Sequence, residues 1–292
     1  MMNDIYCAAT GHLWNIVFLL AICIGMIAFP NAKINIGLNV TRKREDGFHD
    51  LETVFYPFLI KDAVEVIETN KLQFSSTGIA IPGNADENIC LKAYHLLKKD
   101  YNLPPVHIHL HKHIPIGAGL GGGSADAAFL IKLLNEKFDL GITILEMENY
   151  ARQLGADCAF FIENKPVYAF KKGDVFENIS LDLNKYYKVL VMPPVHVSTQ
   201  VAYSGVKPKQ SSASLKELIN LPVKNWKSEI KNDFENSVFS KFPLIRNIKM
   251  ALYKSGALYA SMSGSGASVY GVFEEKVSLS KLEVENQVFY NV

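Results

Sequence analysis

Several things are scarce in this chain, and each scarcity excludes something. There are four cysteines, Cys7, Cys23, Cys90 and Cys158, and no two form a Cys-x-x-Cys pair. Neither a zinc site nor a disulfide framework is expected, and a reducing, cytoplasmic setting fits. Charge of one sign is also scarce: 30 Lys and Arg stand against 29 Asp and Glu, a formal net charge of +1 without a long run of either sign. A broad electrostatic footprint for nucleic acid is therefore not expected. Residues 1–12 contain no Lys or Arg, which a secretory signal would need ahead of its apolar run. Leu13–Phe29 is nevertheless almost wholly apolar and falls just short of the ~20 residues that span a bilayer. We read residues 1–25 as an upstream extension, with Met26 as the start and no stable membrane association; a membrane anchor is the alternative.

Glycine, by contrast, is concentrated. Pro115-Ile116-Gly117-Ala118-Gly119-Leu120-Gly121-Gly122-Gly123-Ser124-Ala125-Asp126-Ala127-Ala128 puts five glycines into seven residues and runs straight into a helix-forming segment. A loop stripped of side chains lets backbone N–H groups close on an anion, and the helix N-terminus adds partial positive charge. A phosphate is the expected guest. The Walker pattern fails, because Gly123 stands where its lysine belongs. Gly117, Gly119 and Gly122 match G-x-G-x-x-G literally, yet a dinucleotide loop follows a buried parallel strand. Here Val106–Lys112 alternates strictly between apolar and polar residues, which reads as a half-exposed strand, antiparallel to its neighbour. A glycine-rich turn with Ser124 as N-cap is the plainer alternative.

The loop resembles the second motif of the GHMP kinases, and its Gly-Gly-Gly-Ser-Ala-Asp-Ala-Ala tail is most similar to the branch acting on 4-diphosphocytidyl-2-C-methyl-D-erythritol. Four further segments match that family in order. In Pro30-Asn31-Ala32-Lys33-Ile34-Asn35 the resemblance implies Lys33 at the active centre and Asn35 facing the substrate; alone, Lys33 also fits an edge strand with its ammonium in water. In Gly155-Ala156-Asp157-Cys158 it implies Asp157 as the base that takes the hydroxyl proton, balanced by Lys33; a helix-cap aspartate is the alternative. In Gly47-Phe48-His49 it implies that Phe48 stacks on cytosine and His49 bonds its edge, with Thr199 and Tyr203 completing the substrate site and Tyr203 closing the other face of the base. Phe48 replaces the family's tyrosine and loses its phenol. In Ser263-Gly264-Ser265-Gly266 it implies a structural loop packed on the phosphate loop. Asn232-Asp233-Phe234-Glu235 matches as well, with a structural role.

The resemblance implies a two-domain α+β GHMP kinase fold: an N-terminal half like the second domain of ribosomal protein S5, residues 26–175, and a ferredoxin-like C-terminal half, residues 176–292. It implies ATP held by Pro115, Gly117, Gly119, Leu120, Gly121, Gly122, Gly123, Ser124 and Ala125, with Asn88 and Lys112 as further nucleotide candidates. Magnesium accompanies the ATP, and no ligand motif names its protein contacts. The implied reaction moves the γ-phosphoryl group to the substrate's 2-hydroxyl, by a monomer or homodimer, in the non-mevalonate route to isoprenoids. A homoserine- or mevalonate-type kinase is the near rival, and a non-catalytic RNA-binding protein is one of another class. His107, His109, His111 and His113 would share one strand face, but a flat strand cannot close a tetrahedron around zinc, and no metal site is expected there.

From periodicity, a helix starts near Glu87, another follows the glycine loop, and Thr143 with Glu146 forms a capping box at the start of a third. Strands are expected at Tyr187–Met192 and Ala267–Phe273, and helical segments at 213–220 and 232–255.

Overall fold

The computed structural model describes residues 25–211 and 213–292. Cys7, Cys23, the apolar stretch up to residue 24 and the extension read over 1–25, apart from Gly25, lie outside the described residues. Among the described residues no helix is long and apolar enough to cross a membrane.

The strands form three four-stranded sheets. The first has the order β1-β4-β6-β5, from β1 (Met26–Ala28), β4 (Ala63–Glu68), β6 (Val106–Lys112) and β5 (Gln73–Gly78). The alternation read in β6 is real: Val106, Ile108 and Leu110 are buried, and His107 and His109 are half-buried on the other face. β6 is antiparallel to β4 as expected, but it is also parallel to β5, which the pattern did not reveal. Its inner face packs under α1 (Ile89–Lys98), α2 (Gly122–Lys137) and α3 (Ile144–Leu154), through Tyr94, Leu97, Leu130, Leu134 and Ala151. Burying each large side chain of this kind stabilises the fold by about 1.5–3 kcal/mol. The expected capping box opens α3, Thr143 and Glu146 bonding reciprocally. Helix α1 begins two residues later than read, because Asn88 caps it through Oδ1 and a single 3₁₀ turn, Ala85–Glu87, precedes it.

The second sheet runs β2-β3-β7-β8, from β2 (Asn31–Lys43), β3 (His49–Lys61), β7 (Val167–Phe170) and β8 (Val175–Asn178). In the sequence Ile34, Ile36 and Leu38 alternate with Lys33, Asn35, Gly37 and Asn39, which in an unbroken strand would put the three apolar side chains on one face. The structure corrects this: the β2–β3 register shifts between Ile36 and Leu38. Gly37 sits at φ +70°, where a Cβ would meet Ile230 at 2.8 Å. The extra residue flips the strand. Ile34 and Ile36 pack into one core with Phe58, Trp226 and Tyr270. Leu38 and Val40 pack into another with Phe234 and Met262. Leu38 thereby joins Lys33 and Asn35 on the site-facing side.

β2 is an edge strand of its sheet, but its edge is covered. Lys33 N–H donates to Leu120 O at 2.9 Å and Leu38 N–H to Lys231 O at 2.9 Å. The third sheet, β10-β11-β9-β12, comprises β9 (Tyr187–Met192), β10 (Tyr259–Met262), β11 (Val269–Phe273) and β12 (Gln287–Tyr290). Against it pack α4 (Phe234–Lys241) and α5 (Pro243–Lys254). The single helical segment expected over 232–255 is two helices, since Pro243 starts the second and has no N–H to continue the first.

Candidate active site

The glycine loop lies where the three sheets meet, and the carbonyls of residues 118–121 are occupied on the protein side. Ala118 O accepts from Ser268 Oγ at 2.6 Å, and Gly119 O from Ser263 Oγ at 2.8 Å. Leu120 O accepts from Lys33 N–H, and Gly121 O from Ala125 N–H at 2.9 Å. With the carbonyls turned inward, the N–H groups of residues 119–124 meet no acceptor among the described residues. Those residues line a cavity of about 520 Å³ together with Asn88, Ile89, Lys112, Pro115 and Asp126. The N-terminal end of α2 opens on it, so amides and dipole act together on an anion. Gly119 is compelled: its φ is +76°, and a Cβ would lie 2.1 Å from Ser263 O.

The expected loop residues line this cavity from Pro115 to Ser124. Two details are corrected. Ser124 does not cap the helix; Gly121 is the N-cap residue, and Ser124 sits in the first turn. Ala125 does not reach the cavity, because the helical turn carries it into the core, where it is fully buried. Asp126 lines the cavity instead.

A second, smaller cavity of about 160 Å³ adjoins the loop and shares Gly119 and Gly121 with the first. Lys33, Asn35 and Asp157 line it together. Lys33 comes from β2, and Asp157 from the turn between α3 and the short helix Phe160–Glu163, yet Lys33 Nζ stands 3.3 Å from Asp157 Oδ2. The lysine side chain is 4% exposed and the carboxylate 36%, so one partner is buried and the other open to an incoming molecule. The edge-strand alternative, with the ammonium in water, is thereby excluded. Lys33 is fixed from three further sides: Nζ donates to Asn35 Oδ1 at 2.6 Å and to Gly119 O at 3.3 Å, and it lies 4.9 Å from the Phe55 ring centroid. Asn35 is held in turn by Thr53, whose hydroxyl accepts its Nδ2 at 3.0 Å and donates to Gly37 O at 2.6 Å. Sequence reasoning missed Thr53; it lies opposite Leu38 on β3, where only the strand register reveals it.

The Ser263–Gly266 loop packs on the phosphate loop through the Ser263 hydroxyl, which also accepts Asn35 N–H at 3.2 Å, and Ser268 just beyond the loop adds the second contact. Asn232 holds it from behind, donating to Met262 O and Gly264 O, both at 2.9 Å. Thr199 and Tyr203, on a short helix capped by Ser198, line the small cavity. The slot expected between Phe48 and Tyr203 is not open. His49 stacks on Tyr203 with centroids 4.7 Å apart, the edge of Phe234 approaches at 4.7 Å, and Phe48 is 62% exposed with Lys172 over its ring. Two bare aromatic faces in water close on whatever ring is nearest, and His49 is nearest.

Lys112 reaches the floor of the large cavity, but its ammonium is bonded to Asp62 and Asp126. Of the histidines, His107 and His109 bond Ser75, and His109 and His111 bond Thr77. His113 does not share their face: β6 ends at Lys112, and the ring packs on Phe289. Among the described residues no group of three His, Cys, Asp or Glu is arranged for a metal. Cys158, beside Asp157, is buried against Ser124, and burial pushes its thiol up to about 11.

An anion cradle that meets a lysine–carboxylate pair defines a small-molecule kinase site of the GHMP type. The family model for the GHMP kinases N terminal domain matches residues 88–165, and that for GHMP kinases C terminal matches residues 212–290. A 4-diphosphocytidyl-2-C-methyl-D-erythritol kinase from Bacteroides fragilis is 53% identical over 264 residues, covering 89% of this chain and 96% of that protein. A crystal structure of a 4-(cytidine 5'-diphospho)-2C-methyl-D-erythritol kinase superposes with a TM-score of 0.77 at 26% identity, covering 91% of this chain and 98% of that one. A homoserine kinase from Cytophaga hutchinsonii superposes with a TM-score of 0.61 at 17% identity, covering 90% and 94%, a likeness of fold alone. The chain belongs to the 4-diphosphocytidyl-2-C-methyl-D-erythritol kinase family of the GHMP kinases.

Proposed function

We propose that this protein transfers the γ-phosphoryl group of ATP to the 2-hydroxyl of 4-diphosphocytidyl-2-C-methyl-D-erythritol, a step of the non-mevalonate route to isoprenoid precursors. One observation carries the assignment of the chemistry: the phosphate cradle and the Lys33–Asp157 cavity share Gly119 and Gly121. A γ-phosphate on those amides abuts an alcohol seated beside Asp157. The alcohol oxygen forms the new bond to phosphorus, the bond to the β-phosphate oxygen breaks, and ADP leaves. The alcohol proton passes to an Asp157 carboxylate oxygen. Lys33, fixed by Asn35 and Gly119, orients that carboxylate and offsets charge on the transferring group. Positioning and preorganised electrostatics supply most of such catalysis.

The donors in the phosphate cavity fit a magnesium ion that arrives with the nucleotide. Ser124 and Asp126 are oxygen donors lining it, the type Mg²⁺ prefers, and Asp126 Oδ1 is buried without a partner. Ser124 is the residue that would hold the ion, which screens the β- and γ-phosphate oxygens. The cytosine is read at Phe48, His49, Thr199 and Tyr203. For the base to stack on Tyr203, His49 must give up that face and take the base edge instead. The protein works in the cytoplasm, as a monomer or homodimer.

The direct test is a phosphotransfer assay with ATP and magnesium, offering the cytidylylated methylerythritol, homoserine and mevalonate in parallel. Turnover confined to the first is expected. Equal turnover of homoserine or mevalonate would overturn the substrate assignment, while loss of competition by cytidine diphosphate would remove the base site alone.

A further inference from the structure

Beneath the phosphate cavity lies a buried charged cluster that the phosphoryl transfer described above does not use. Lys112 ends β6 on the strand's inner face, its ammonium bonded to Asp62 and, at 2.8 Å, to Asp126. Both carboxylates are almost wholly buried. The second oxygen of Asp62 accepts the N–H groups of His113 and Ile114 at 2.6 and 2.7 Å, which fixes the chain as it turns into Pro115 and the glycine loop. A Cβ built on Gly122 would stand 2.9 Å from Lys112 Nζ, so the ammonium lies against the first turn of α2.

That is an unfavourable place for a cation on its own. The N-terminal end of a helix repels positive charge, and burial penalises it further. Without counter-charges a lysine with four flexible methylenes would swing out to water. Burial draws the Lys112 pKa down, but Asp126 and Asp62 outweigh it and the net direction is upward, so the side chain stays charged. Two of its three N–H donors serve the carboxylates; the third meets no acceptor among the described residues.

We infer that Asp62 and Asp126 are positioning residues for the nucleotide: they hold the Lys112 ammonium beside the amino end of α2, where its remaining N–H faces a phosphate oxygen. The inference rests on the reading of this cavity as the nucleotide site. It separates the roles of the two lysines, because Lys33 lies on the alcohol side of Gly121 and Lys112 on the phosphate side.

The test compares wild type with Asp126→Ala, Asp126→Asn and Lys112→Gln. It reads the Kd for ADP by calorimetry, the KM for ATP, the KM for the alcohol and kcat. In Asp126→Ala, loss of a charge-assisted bond should raise the ADP Kd and ATP KM by about tenfold. The alcohol KM should move far less than the ATP KM. Asp126→Asn keeps an acceptor for the ammonium and should restore most of the loss. Lys112→Gln can still bond both carboxylates and guards against an alanine variant that does not fold; its ADP Kd should rise as well. An unchanged ADP Kd in Lys112→Gln would overturn the inference, as would equal losses for both substrates that Asp126→Asn does not rescue. Wild type that fails to bind ADP at all would remove the nucleotide reading itself, an outcome distinct from either.

Discussion

Two buried lysines sit on opposite sides of one glycine loop, and their surroundings differ in a way that separates their work. Lys33 has a single carboxylate partner, Asp157, at 3.3 Å, and that partner is more than a third exposed. Its other contacts are neutral: an amide oxygen, a backbone carbonyl and an aromatic face. Lys112 is clasped by two carboxylates that are almost wholly buried. A pair with one open partner can exchange charge with a ligand during a reaction, whereas a triad closed on all sides but one can only hold its geometry. The contrast is between a reacting pair and a fixed one.

The sharpest way to break this comparison is at the reacting pair. Asp157→Asn keeps the shape and removes the base; a fall in kcat of about 10²–10⁴-fold is expected, with ADP binding unchanged by calorimetry. Near-wild-type turnover would end the base assignment. Lys33→Met should lower kcat by about 10²-fold or more while sparing the ADP Kd, since it removes preorganised charge from the alcohol side. If instead its ADP Kd rises as in Lys112→Gln, the two lysines are not separate in function.

Gly119→Ala bears on both sides at once. The new methyl would collide with the Ser263 carbonyl at a positive φ, a strain on the order of 1–3 kcal/mol. A lower Tm together with a higher ATP KM should be seen, and an unaltered Tm would mean that the loop yields easily.

The smallest effect sharpens the fixed triad. Burial, only partly offset by Lys112, pushes the Asp126 carboxyl from 3.8 up to about 8. Near neutral pH the folded protein therefore holds a proton on Asp126, which still accepts from the ammonium, while the unfolded chain releases that proton at lower pH. This contribution to stability is full below the unfolded value and is lost as pH rises toward and through about 8. In magnesium-free buffer the wild-type Tm should decline across that range, and Asp126→Asn should show a shallower decline. Parallel slopes for the two proteins would remove Asp126 as the titrating group.

Much of this was legible along the chain because local chemistry demands it. Five glycines before a helix favour an anion cradle, and the loop, the capping box and the alternation of β6 are consequences of short-range sterics and periodicity. The fixed triad was barely legible: Lys112 was a nucleotide candidate from its place beside the loop, but its burial on the inner face of β6 emerged only in the structure, and nothing in the spacing pointed to Asp62, 50 residues earlier. Thr53 was hidden for the same reason, its role being set by strand register. The flip at Gly37 was invisible, since a bulge adds one residue without changing the composition of the strand. That His49 would stack on Tyr203 was not legible, because the sequence names aromatic residues without saying which faces touch once water is excluded.

By itself, then, the sequence determined the cradle, the order of the motifs and the identities of the charged residues, all properties of contiguous segments. Only the tertiary structure decided that Lys33 and Asp157, 124 positions apart, would stand within 3.3 Å of each other, and that Lys112 would be clasped and not free. Such pairings are fixed by the packing of three sheets around one loop, and long-range packing is set by how whole surfaces fit, which no local stretch of residues encodes.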